Sequence, residues 1–188
     1  MSRAAQAGFT LLELLVGLTI AGVLAAMAIP SFTGMIHDQR IANESNRLVV
    51  GLNLARSEAA KRRRTISLCP STNGTACSGA TNWEAGYIVF VNDDADTPAA
   101  VDAGETVVRI FETAPGNVTL RSGDFTNFIS YAATTFSNAA GTFTICDQRG
   151  PSRARGVLIN AVGRARVSGD ANADGIHEDR NGNDLACP

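Results

Sequence analysis

The chain has 188 residues, of which 45% are hydrophobic and 18% charged, and its formal net charge is −2. Together with a mean hydropathy close to zero, this composition excludes a polytopic membrane protein and a disordered chain. The small net charge also argues against a globally basic nucleic-acid-binding protein. Function therefore has to be sought in local patterns.

The first of these patterns is an apolar run over residues 9–29 that contains one charged residue, Glu13. As a helix rising about 1.5 Å per residue, the run is roughly 31 Å long, close to the thickness of the hydrocarbon core of a bilayer. Arg3 precedes it, and positive charge on that side predicts a cytoplasmic N-terminus. We predict one transmembrane helix over 9–30 and an exported domain over 31–168.

The helical pattern continues from Ser31 to about Arg63, where apolar and small residues recur at spacings of three and four. The predicted buried face consists of Ile41, Ser45, Leu48, Leu52, Ala55 and Ala59, and charged residues such as Glu44 and Arg47 fall outside it. After Arg64, short β-branched or aromatic runs separated by turn residues predict eight strands. They are Thr65–Cys69, Tyr87–Val91, Thr106–Phe111, Val118–Arg121, Phe128–Ala132, Thr142–Cys146, Val157–Asn160 and Ala165–Ser168. We predict an α+β fold with a long N-terminal helix packed on an antiparallel β-sheet.

Four cysteines follow the apolar run, and an even number in an exported domain favours disulfides. Three pairings are open. Cys69 and Cys77 bracket a loop rich in turn-forming residues, which favours their pairing and leaves Cys146 with Cys187. A zinc site is the alternative, but the sequence has no CxxC motif and no histidine near the cysteines.

The C-terminal tail, residues 169–188, carries a net charge of −4 from five acidic residues and Arg180. Within it, Asp170, Asn172 and Asp174 precede a glycine at the spacing of a calcium-binding loop, and Asp179 follows. The bidentate glutamate of an EF-hand is missing, and such strings also form ordinary acidic tails. We therefore expect no cofactor, with a calcium ion bound by this loop as the alternative.

The N-terminal string GFTLLELLVGLTIAGVLAAMAIPSF resembles that of type IV pilins and pseudopilins, with Gly8 before Phe9, an early Glu13, and an apolar run ending at Pro30. The resemblance implies that residues 1–8 are a leader, that a prepilin peptidase cleaves after Gly8, and that the new amine of Phe9 is methylated. It also implies that Glu13 pairs with the Phe9 amine of a neighbouring subunit, the alternatives being a pair with the amine of its own chain and contact with water. Such a pair offsets the roughly 2.5–3.5 kcal/mol that a lone charge costs inside a membrane. An ordinary secretory signal is disfavoured because its apolar region spans only about 7–15 residues.

Further along, segments 54–59, 66–69, 83–90, 145–150 and 163–166 resemble the GspH/FimT family of minor pilins and pseudopilins. The resemblance implies a single-pass protein of the bacterial inner membrane with a periplasmic domain. Its partners would be membrane lipid, other pilins or pseudopilins and the inner-membrane assembly platform, in a type IV pilus or a type II secretion pseudopilus. A position near the tip, where assembly starts, is expected. We predict no enzymatic activity, because the sequence places no Cys, Ser or Glu at the spacing of a catalytic motif from His37 or His177.

Some FimT-type proteins take up extracellular DNA through a C-terminal GRxR motif, which residues 163–166 resemble. Strand alternation places Arg164 and Arg166 on the same face, and guanidinium groups bind phosphates through paired hydrogen bonds. Binding of double-stranded DNA is thus the alternative function, with the candidate residues Arg149, Arg153, Arg155, Arg164 and Arg166. Opposing it, the acidic tail is expected to repel DNA, and a solvated strand face paired to acids explains the arginines equally well.

Overall fold

The computed structural model describes residues 10–136 and 140–188, without the side chains of residues 27–31. The chain divides into two compact units, Met1–Asp38 and Gln39–Pro188, which are described separately. One helix, α1, extends from Leu11 to Arg62. Of the predicted span, Phe9 and the side chains of residues 27–30 lie outside the description. Among the described residues, no helix combines the length and the apolar character that a membrane crossing requires.

In the second unit, α1 buries the face that its spacing predicts. Ile41, Leu48 and Leu52 are at most 1% exposed, and Ala55 and Ala59 are fully buried beside them. Ser45 lies on the same face, where its hydroxyl donates to the Ile41 carbonyl oxygen at 2.8 Å. The predicted amphipathic helix is confirmed.

All eight predicted strands form, although some boundaries shift by one or two residues. They are β1 (Thr65–Pro70), β2 (Tyr87–Asn92), β3 (Val107–Phe111), β4 (Thr119–Arg121), β5 (Ile129–Tyr131), β6 (Gly141–Cys146), β7 (Arg155–Ile159) and β8 (Ala165–Val167). The strands pair antiparallel, as predicted, and they form two four-stranded sheets. The first has the order β3-β2-β1-β5 and the second β4-β6-β7-β8.

The main core lies where the buried face of α1 meets the inner faces of both sheets. Leu68 and Val89 enter it from the first sheet and Phe143 and Val157 from the second. Trp83, which precedes β2, is fully buried in this core. A smaller cluster on the other face of the first sheet contains Cys69, Ile88, Phe90 and Ala99.

Two disulfides form, with the pairing that the loop composition favours. Cys69 bonds to Cys77, and Cys146 at the end of β6 bonds to Cys187 in the tail. Leu185 is 3% exposed and packs with Cys146 and Ala154. The acidic tail is therefore attached to the second sheet both covalently and through an apolar contact.

Candidate assembly segment and arginine groove

The candidate assembly segment, residues 10–26, is the described part of α1 around Glu13. Thr10 caps the helix, because its hydroxyl accepts the N–H of Glu13 at 3.2 Å and its carbonyl accepts the N–H of Leu14 at 3.1 Å. The Glu13 carboxylate thus lies in the first turn, where the helix dipole stabilises negative charge. Gly8 and Phe9, the predicted processing residues, lie outside the described residues.

The apolar side chains of this segment point outward around the helix and are exposed to solvent in the single chain. Nine of them are between 49% and 76% exposed: Leu11, Leu12, Leu14, Leu15, Val16, Leu18, Ile20, Val23 and Leu24. An exposed apolar surface of this extent marks a contact with lipid or with another protein. The segment is therefore an apolar helix with a surface suited to contact with lipid or another protein. It contains a single carboxylate, that of Glu13.

Arg149 is bound to a neighbouring acid. Its Nε donates to both carboxylate oxygens of Asp147, at 3.2 and 2.9 Å, and its Nη2 lies 2.9 Å from Asp147 Oδ2 in the same ion pair. The pair is partly buried, so the charge of Arg149 is largely neutralised within the fold.

Arg153 and Arg155 do not join the other predicted arginines in one patch. Along β7, Arg155 shares a face with Val157, which enters the main core. Arg166 of β8 lies opposite Leu158 in the register of the two strands, on the other face of the sheet. Arg153 ends the short 3-10 helix Pro151–Arg153 and is exposed.

Arg164 and Arg166 line one groove on the outer face of the second sheet, together with Arg180 of the tail. The groove has a volume of about 510 Å³, and Leu158 and Ala165 contribute to its lining. All three arginines are exposed, and none forms an ion pair with a carboxylate among the described residues. We call this feature the arginine groove.

The turn between β7 and β8 fixes the direction of Arg164. The Asn160 side-chain oxygen accepts the N–H groups of Val162 at 3.2 Å and of Arg164 at 2.9 Å. Gly163 has a φ of +72°, and a Cβ added there would lie 2.6 Å from the Tyr131 ring. The glycine of the GRxR string is thus required by the backbone and by close packing.

The carboxylates of the tail bind the tail's own backbone. Asp170 accepts the N–H of Ala173 at 2.7 Å, and Glu178, which is 7% exposed, accepts the N–H of Ala171 at 2.9 Å. Burial acts to raise the pKa of Asp179, but N–H donors of nearby residues, including the backbone of Asn183, lower it, and the lowering prevails.

The side-chain oxygens of the four predicted calcium residues each accept a backbone N–H of the tail: Asp170, Asn172, Asp174 and Asp179. Among the described residues, the acidic groups within 4.8 Å of one another are Asp94, Asp96 and Asp102, in another loop. Calcium binding by the tail stays a prediction.

Three of the four residues in the basic run 61–64, at the end of α1, pair with nearby acids. Arg62 and Lys61 pair with Glu58, and the hydrogen bond from Arg62 is the main cause of the lowered pKa of Glu58. Arg64 pairs with Asp93. These ion pairs and the favourable position of cations at a helix C-terminus are a sufficient structural explanation for the run.

Residues 44–163, more than half of the chain, match the family described as type II transport protein GspH. The chain belongs to this family. Residues 3–29 in addition match the prokaryotic N-terminal methylation motif. The expected membership of the pilin-like superfamily is thereby confirmed.

Two crystal forms of the type IV minor pilin FimU from Pseudomonas aeruginosa PAO1 have a similar fold. For the P21 form, the TM-score is 0.53 at 20% sequence identity, over 70% of this chain and 90% of FimU. For the P65 form, the TM-score is 0.52 at 20% identity, over 68% of this chain and 92% of FimU. The GspH-family chain thus has the minor-pilin fold.

Sequence reasoning missed Arg180 as a residue of the arginine groove. In the sequence it is the single basic residue of an acidic tail, 14 positions after Arg166. The relevant signal was Cys187, because a disulfide to β6 brings the tail back onto the second sheet. All three groove arginines follow residue 163, where the match to the GspH family ends.

Proposed function

We propose that this GspH-family protein is a minor pilin or pseudopilin that assembles through its N-terminal helix into a type IV pilus or a type II secretion pseudopilus. The observation that carries the proposal is the candidate assembly segment, an exposed apolar helix with one carboxylate, Glu13. The match to the N-terminal methylation motif supports it independently.

In the proposed mechanism, a prepilin peptidase cleaves between Gly8 and Phe9 and the new amine of Phe9 is methylated. The apolar helix anchors the subunit in the inner membrane, with the globular domain in the periplasm, until it enters the filament. There the cationic amine of a neighbouring Phe9 pairs with Glu13. This pair offsets the cost of about 2.5–3.5 kcal/mol for a carboxylate in an apolar environment.

The proposal is tested with Glu13→Ala in cells that lack the unmodified protein. Because each subunit then loses the charge that receives its neighbour's amine, we expect at least a tenfold drop in the share of the protein recovered with sheared filaments. The share is measured by immunoblot against the total cellular amount. Thr19→Ala, in the same exposed segment, is the matched control and should assemble normally. Equal recovery of the Glu13→Ala protein would overturn the proposal.

We further propose a position near the filament tip, where the subunit helps to start assembly. FimU, which shares the fold, is itself described as a minor pilin. A tip subunit that starts assembly affects the number of filaments per cell rather than their length. Deletion should therefore reduce filament number with little change in length, as counted by electron microscopy, whereas shorter filaments at normal number would contradict a tip role.

Binding of double-stranded DNA is a second candidate function, favoured by Arg164 and Arg166 in the arginine groove, which are exposed and form no ion pair within residues 10–136 and 140–188. Guanidinium groups that lack a carboxylate partner are free to bind phosphates. The test is a gel-shift assay of the purified chain with the double variant Arg164→Gln, Arg166→Gln. We expect the variant to lose binding, and unchanged binding would remove this candidate.

A further inference from the structure

The arginine groove is built from two parts of the chain that are distant in sequence. Arg164 and Arg166 come from the end of the second sheet, and Arg180 comes from a tail that is acidic as a whole. Three guanidinium groups around one groove of about 510 Å³ form a local concentration of positive charge. The negative net charge of the tail gives no indication that it contributes to a positively charged groove.

Several contacts place Arg180 beside the groove. Its backbone N–H donates to the Thr142 hydroxyl of β6 at 3.2 Å. The N–H of Glu178 donates to the Gly169 carbonyl at 3.1 Å, and Leu185 is buried against the sheet. The Cys146–Cys187 disulfide closes this arrangement. The position of Arg180 is thus a property of the folded domain.

The acidic residues of the tail do not neutralise this charge. Asp170, Glu178 and Asp179 line an adjoining groove of about 560 Å³, which shares Arg166 and Arg180 with the arginine groove. Their oxygens accept N–H groups of the tail, as described above. Among the described residues, none of these carboxylates forms an ion pair with Arg166 or Arg180, so both guanidinium groups keep donors for an anion in the arginine groove.

We propose that Arg180 is a third phosphate-binding residue of the groove, acting with Arg164 and Arg166 on the backbone of double-stranded DNA. This inference rests on the second candidate function. The guanidinium fork suits phosphate oxygens, and the exposed position of all three side chains allows a duplex to approach. On this view the C-terminal tail is part of the binding surface, although its overall charge would repel DNA.

The experiment measures binding of a short fluorescently labelled duplex to the full-length chain in detergent, between about 0.05 and 0.2 M salt. Each phosphate contact contributes about −0.9 to the slope of log affinity against log salt concentration, so three contacts give a slope of roughly −2.7. Arg180→Gln should change the slope to roughly −1.8 and weaken binding about eightfold at 0.1 M salt. Arg180→Lys keeps the charge and should keep the slope.

The matched control is Arg109→Gln, which removes the same charge from an exposed arginine of β3 in the first sheet that lines neither groove, and it should leave the slope unchanged. If Arg180→Gln binds with the unaltered slope while the Arg164, Arg166 double variant loses binding, this inference fails and the second candidate function stands. If the unmodified chain does not bind the duplex, both fail. If Arg180→Gln loses affinity for phosphatidylglycerol vesicles but not for the duplex, the groove serves lipid headgroups and the inference is overturned.

Discussion

Glu44 is a buried carboxylate in the core-facing part of α1. It is 1% exposed; its Oε2 lies 3.4 Å from Arg47 Nε, and its Oε1 has no hydrogen-bond partner among the described residues. Burial raises the pKa of Glu44, and the nearby Arg47 charge counteracts only part of that effect. The guanidinium of Arg47 in turn lies over the Tyr87 ring, 5.6 Å from its centroid.

This environment predicts how Glu44 affects stability as pH changes. The folded state holds the proton more tightly than the unfolded state, so stability falls as pH rises from the ordinary pKa of 4.5 through the raised folded value. Glu44→Gln does not titrate and should avoid this loss. The thermal midpoint of the unmodified chain should therefore decline relative to Glu44→Gln over that interval, measured by circular dichroism at several pH values.

Glu58→Gln provides a control of opposite sign, because the pKa of Glu58 is lowered through its hydrogen bond to Arg62. Relative to that variant, the unmodified chain should lose stability as pH falls through the folded pKa of Glu58. A rise in the stability of the unmodified chain relative to Glu44→Gln with increasing pH would contradict the account of Glu44.

The burial of Glu44 also shows where residue-level prediction fails. Spacing correctly identifies the buried face of α1 from Ile41 to Ala59, because an apolar face repeats with the period of the helix. Glu44 lies three residues after Ile41 and four before Leu48, on the same helix face. The sequence pattern nevertheless predicts that it faces solvent, because it is charged. The pattern contains no information that Arg47 and two aromatic rings surround this position.

At the level of elements, the turn between β7 and β8 positions Arg164 at the arginine groove. Gly163 has a positive φ, and the Tyr131 and Phe136 rings approach it closely. The Tyr131 hydroxyl donates to the Gly163 carbonyl at 3.1 Å. Backbone conformation and side-chain packing thus both require glycine at position 163.

Gly163→Ala should therefore destabilise the fold by more than backbone strain alone. A non-glycine residue at positive φ costs about 1–3 kcal/mol, and the added methyl group would also displace the Tyr131 ring. Gly150→Ala is the matched control, since Gly150 has a φ of +81° and nothing lies within 4 Å of its added Cβ. Chemical denaturation of both variants measures the difference, and equal losses would contradict the role of packing.

Sequence patterns were sufficient for the strands but not for their assembly. Each strand is a local run of β-branched or aromatic residues, so all eight could be recognised. The division into two sheets depends on pairings such as β1 with β5, over 60 residues apart in sequence, which local patterns do not encode. Alternation correctly placed Arg164 and Arg166 together, whereas the position of Arg155 depends on the phase of β7.

For the molecule as a whole, the two disulfides constrain very different lengths of chain. Cys69 and Cys77 are 8 residues apart, and Cys146 and Cys187 are 41 apart. Because loop-closure entropy grows with loop length, the second bond restricts the unfolded chain more strongly. It also holds the tail that carries Arg180.

Replacing each disulfide by a pair of serines should therefore have unequal effects on the free energy of unfolding. We expect a loss of about 4 kcal/mol without the Cys146–Cys187 bond and about 2.5 kcal/mol without the Cys69–Cys77 bond. Urea titration of the two double variants measures both losses. A larger loss for the short loop would show that local strain or packing, rather than chain entropy, determines the effect.

The chain contains one tryptophan, and its location makes it an intrinsic optical reporter. Trp83 is fully buried, its indole N–H donates to the Phe125 carbonyl at 3.1 Å, and its ring packs edge-on against Phe143 of the second sheet at 5.0 Å. The ring of Tyr87, in the first sheet, has its centroid 6.0 Å from that of Trp83. Native emission should consequently be blue-shifted, and a red shift would signal separation of the two sheets without any attached dye.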